Sequence, residues 1–210
     1  GNLYWIFFGV LSILFLYFFS SVYVNLNSNA GYDDALYFNM AASIGSLNWL
    51  GSYHSILLSK MPGYAIFLIA AIATRLPYML VLGICYCIAV AFVLYNSMWM
   101  FRKTKVLSFL MGFVLLFNPV FVNESRIYRD QFIVICFLIF IGALLAMFNP
   151  ETKRSTKGLR IVMGVISFVG VGFLFYTREE NMLYYGVFVL AILFFLIIRT
   201  SIQSIRENLY

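Results

Sequence analysis

The chain has 210 residues, 63% of them hydrophobic and only 10% charged, with a net charge of +6. Soluble domains carry about 25% charged residues, and a water-soluble fold of this size has no core large enough for so much apolar side chain. Lipid is therefore the solvent. At roughly 20 residues per crossing, the length allows about six or seven spans and no sizeable soluble domain.

In chain order, the first apolar stretch, Leu3 to Val24, is too long and too aromatic for a cleaved signal peptide and reads as an uncleaved anchor. The longest polar stretch, 25–60, follows it. A short apolar run over 61–74 comes next, bounded by Pro62 and Pro77. Clear spans are predicted over 78–101, 106–122, 131–149 and 182–199, with a shorter apolar one over 161–176. The expected fold is all-α: a polytopic transmembrane helix bundle of six or seven apolar segments. It forms one transmembrane domain over 1–210, with a helical extracytoplasmic first loop. A start at Gly1 rather than Met, and a stop just beyond a hydrophobic segment, read as part of a longer protein.

Basic residues cluster in Arg102-Lys103-Thr104-Lys105, in Lys153 to Arg160 and near the C-terminus. This is the pattern of cytoplasmic loops, and no nucleic-acid partner is expected. Alternation then puts 25–60, 123–130 and 177–181 on the outer side. One parity problem arises, because an external 25–60 and an internal 102–105 require an odd number of crossings, yet two apolar runs separate them. The run 61–74 is short and flanked by prolines, so it is expected to dip into the membrane without crossing. Cys85, Cys87 and Cys136 all lie in apolar runs without metal spacing and read as small hydrophobes.

The polar clusters then share one face of the membrane. Asp33 and Asp34 are adjacent carboxylates, a pair suited to holding a proton or a divalent cation. In a helix, Asp33 shares a face with Tyr37 and Ala41. The competing reading makes both acids ordinary residues of a helix N-terminus, favoured by its dipole. Lys60 precedes Met61-Pro62-Gly63-Tyr64 at the edge of an apolar run. It suits either a lipid phosphate or simple snorkelling to the interface. Arg126, Arg129 and Asp130 lie between two spans, where anion binding and a structural Arg126–Asp130 pair fit equally. Arg178 and Glu179 form a similar cluster, and a lone His54 reads as a loop residue.

The order of these elements resembles the GT-C glycosyltransferases, and most closely their protein-mannosyltransferase and aminoarabinose-transferase branch. The resemblance rests on an acidic pair after the first span (Asp33-Asp34), a tyrosine four residues after its first acid (Tyr37) and a Lys-Pro-like step (Lys60-Met61-Pro62). An Arg-Leu-Pro element (Arg75-Leu76-Pro77) and a later aspartate (Asp130) complete it. Two departures stand out: Leu36 occupies a position where some members carry a phosphate-binding arginine, and Met61 interrupts the Lys-Pro step. The resemblance implies a membrane enzyme of the plasma (inner) membrane with its site on the extracytoplasmic side. It implies transfer of a sugar from a polyprenyl-phosphate carrier to a hydroxyl acceptor on a glycan, lipid or protein. Asp33 and Asp34 would be catalytic, or hold a metal if there is one. Tyr37, Lys60, Arg126, Arg129, Asp130, Arg178 and Glu179 would bind substrate. The alternatives are a transporter or helical subunit of a membrane complex, and a cell-surface glycan polymerase or ligase.

Overall fold

The computed structural model describes residues 2–21, 33–49, 61–98, 105–118, 129–149 and 156–177, with 186, 187, 189, 190 and 193. Among these residues 88% are helical and none lies in a strand. Besides the helical positions within 186–193, the described residues form α1 (Asn2–Ser20), α2 (Asp33–Gly45), α3 (Gly63–Ala73), α4 (Tyr78–Ser97), α5 (Lys105–Leu116), α6 (Arg129–Phe148) and α7 (Lys157–Thr177). Four of them, α1, α4, α6 and α7, are long and apolar enough to cross a membrane. This marks an integral membrane protein.

The boundaries follow local chemistry. Helix α5 stops at Leu116, short of the predicted 106–122, because Asn118 precedes Pro119 and a residue before proline disfavours the α region. Helix α7 starts at Lys157, four residues before the expected 161. Its first turn carries Lys157 and Arg160, whose long stems let charged heads reach the interface while the backbone stays helical. Of the predicted span 182–199, only Gly186, Val187, Val189, Leu190 and Leu193 are described, all helical.

Packing orients the helices. Helices α1 and α4 run antiparallel: Trp5 meets Tyr95 with ring centroids 6.3 Å apart, and Phe15 meets Tyr86 at 5.7 Å. Helix α5 lies parallel to α1, with Phe7 against Phe109 and Phe15 against Phe117. The Tyr86 hydroxyl donates to the Leu115 carbonyl and ties α5 to α4. Helices α4 and α6 run parallel, with the Phe92 ring pressed onto Gly142, and α7 returns antiparallel with Gly170 against Ile139. Lipid tails are as apolar as leucine, so such helices associate through close packing at small residues rather than through water exclusion. Helices α4 and α6 are central, with 56% and 44% of their apolar windows buried. Helices α1 and α7, at 22% and 17%, present most of their surface outward.

The bundle therefore has two unlike ends. One gathers the starts of α1, α5 and α7 and the finishes of α4 and α6, together with Lys105, Lys157 and Arg160. The other gathers the finishes of α1, α5 and α7, the starts of α4 and α6, and α2 with the start of α3. Helix α3 is 11 residues long, about 16 Å, against roughly 30 Å of hydrocarbon. Helix α1 ends and α4 begins at the same bundle end, and α3, described between them, is shorter than the four candidate spans. Thr74-Arg75-Leu76 turns α3 back: Arg75 sits in the left-handed region at φ 58°, and its N–H donates to the Ile72 carbonyl at 3.0 Å.

Candidate functional site

Helix α2 begins at Asp33, which puts Asp33 and Asp34 in its first turn, where the dipole favours acids. Their side chains lie outside what is described, so both sequence readings of the pair stand. The rest of α2 is amphipathic by burial: Tyr37 is 1% exposed, Met40 1% and Ala41 3%. Position 33 falls in register with Tyr37 and Ala41, four residues apart on one helical face.

That face meets α6. Arg129 opens α6, and its Nη1 donates to the Tyr37 hydroxyl at 2.7 Å, linking positions 92 apart in sequence. The guanidinium carbon also lies 5.5 Å from the centroid of the Tyr37 ring, within cation–π range. A cation at a helix N-terminus opposes the dipole. Asp130 in the same turn and the electron-rich face of Tyr37 offset that opposition.

Two tyrosines that the sequence reading did not single out complete the arrangement. Tyr64 in the first turn of α3 is fully buried and meets Tyr37 edge to face at 5.3 Å. Its hydroxyl shares a 2.9 Å hydrogen bond with that of Tyr78, the first residue of α4. Phe67 stacks on Phe132 at 4.1 Å, and Phe132 packs edge to face against Phe173 of α7 at 5.4 Å. Gly63 seats the start of α3 against the Tyr176 backbone. Tyr78 directly follows Pro77 and Tyr64 comes two residues after Pro62, each at the start of an apolar helix. A ring with a polar tip at that position is an interfacial signal that was there to be read.

The structure thus brings together Tyr37 and Arg129, with Asp130 beside Arg129 in sequence and the first turn of α2 next to them. Lys60, Arg126, Arg178, Glu179 and His54 lie outside the described residues. So does any test of the Arg126–Asp130 pair or of a divalent cation at Asp33 and Asp34. Among the described residues, no group of three His, Cys, Asp or Glu side chains gathers. Chemically, the arrangement offers a half-buried guanidinium, fixed by a phenol, at the aromatic mouth of an apolar bundle. Compared with family models, curated proteins and solved structures, the chain matches none.

Proposed function

We propose that the chain is a glycosyltransferase that moves a sugar from a polyprenyl-phosphate carrier to a hydroxyl acceptor, at the bundle end opposite the basic one. The observation that carries this reading is the Arg129–Tyr37 bond, which joins the helix bearing the acidic pair to an arginine suited to an anionic headgroup. In this reading that end faces the extracytoplasmic side of the plasma (inner) membrane, and a crossing over 182–199 returns the chain to the basic side.

The carrier tail lies along the apolar outer faces of the helices. Its phosphate sits against Arg129, with Lys60, Arg126 and Arg178 as further cations. These stabilise the charge that develops as the bond between the sugar's anomeric carbon and the phosphate oxygen breaks. Asp33 takes the acceptor proton as the acceptor oxygen bonds to the anomeric carbon. Polyprenyl phosphate leaves. Asp34, Asp130 and Glu179 orient the acceptor, or the acidic pair holds a divalent cation.

Among the described residues, no Asp, Glu, Lys or Arg lies in the middle of a helix long enough to span. A transport pathway is normally marked by such charges near the midplane, which favours a rim site over a transporter. A glycan polymerase or ligase would share the lipid-phosphate site.

The test is Asp33→Asn in membranes supplied with labelled carrier-linked sugar. Removing the general base is expected to lower transfer about 100-fold or more. Near-normal transfer removes Asp33 from that role.

A further inference from the structure

We infer that Tyr37 is a positioning residue of the phosphate site, holding the Arg129 guanidinium in one orientation, and that Tyr64 and Tyr78 brace it in turn. This rests on the reading of Arg129 as a phosphate-binding residue. Tyr37 is only 1% exposed, so the ligand contact expected of it from the sequence passes to the arginine it holds. Its hydroxyl takes the Nη1 hydrogen bond at 2.7 Å, while its ring lies 5.5 Å from the guanidinium carbon. One side chain thereby fixes the arginine along an N–H bond and over a ring face at once.

An arginine side chain is long and rich in rotamers. Ordering it before a ligand arrives removes a cost that would otherwise weaken binding. The phenol is itself fixed. Its ring meets the buried Tyr64 ring at 82°, Tyr64 leans on Phe132 at 5.9 Å, and the Tyr64 hydroxyl is anchored on Tyr78 at 2.9 Å. The N-terminal turns of α3, α4 and α6 are thus tied to α2 through one connected set of rings. Phenylalanine would keep the ring packing at 37, but only a phenol also holds the guanidinium.

The experiment uses the chain in lipid nanodiscs and measures binding of radiolabelled farnesyl monophosphate, with labelled farnesol as the uncharged control. Tyr37→Phe is expected to weaken phosphate binding about tenfold, the scale of one hydrogen bond to a charged group, with farnesol binding unchanged. In an Arg129→Gln background it is expected to add nothing, because the hydroxyl acts through the arginine. Tyr64→Phe, whose ring touches no ligand, is expected to weaken phosphate binding about threefold. If Tyr37→Phe binds like wild type while Arg129→Gln loses affinity, the positioning role is overturned and the phosphate reading stands. A Tyr37→Phe loss that persists in full on top of Arg129→Gln also overturns the positioning role. Wild-type affinity in Arg129→Gln removes the phosphate reading itself. Should Tyr37→Phe also disturb folding, the ratio of phosphate to alcohol affinity decides, because a general loosening lowers both alike.

Discussion

Gly63 lets the start of α3 lie close against the Tyr176 backbone of α7, and Gly63→Ala tests that docking directly. A Cβ at this position falls 2.5 Å from the Tyr176 carbonyl oxygen and 2.7 Å from its carbon. Ordinary contact begins at 3.4 Å, so the two backbones must separate by about 0.9 Å, which close-packed interiors resist. Overpacking of this kind costs about 1–3 kcal/mol, and alanine's better helix propensity returns at most about 1 kcal/mol. The net expectation is a loss of about 1–2 kcal/mol. Gly164→Ala in α7 is the matched control, since nothing lies within 4 Å of its Cβ. It should be neutral or stabilising by up to about 1 kcal/mol. Unfolding can be followed with a thiol-reactive fluorophore, because Cys136 is only 1% exposed in the folded bundle. If Gly63→Ala proves as stable as Gly164→Ala, α3 does not abut α7 and the aromatic mouth is wrongly assembled.

Two further outcomes follow from the same region. Tyr64→Phe and Tyr78→Phe should each cost about 1 kcal/mol, and the double variant little more, since both remove the same 2.9 Å bond. Additive losses in that cycle would separate the two hydroxyls. Arg75→Gly should raise stability by about 1 kcal/mol, because glycine holds the left-handed φ of 58° without the Cβ penalty. A drop in the unfolding midpoint of this variant would instead mean that the Arg75 side chain, not its backbone, holds the turn.

The long helices were legible because lipid selects for apolar length, a signal that survives without knowledge of any partner. Boundaries were less so, for particular reasons. Lys157 and Arg160 carry charge yet belong to α7, while the apolar residues after Leu116 precede and follow a proline that ends α5. The shortness of α3 within 61–74 was readable from its flanking Pro62 and Pro77. The site was half readable. Tyr37 and Arg129 both stand out in the sequence as candidate ligand-binding residues, and the structure adds the bond between them. Nothing in a single sequence pairs residues 92 apart. The helix-start positions of Tyr64 and Tyr78 are visible among the 15 tyrosines, but the rings of α2 and α6 that Tyr64 meets are not.

The short helix α3 also constrains the order in which the protein can be assembled. Its inward side rests on Phe132 and on the Tyr176 backbone, both made long after it by the ribosome. During synthesis, α1 and α4 can insert as a hairpin and leave the intervening stretch on the far side. Until α6 and α7 have arrived, α3 has its contacts with Tyr37 of α2 and Tyr78 of α4 to hold it. Docking of this segment is therefore completed late in biogenesis, and a nascent chain halted before Phe132 would hold an apolar helix with one side still unpacked.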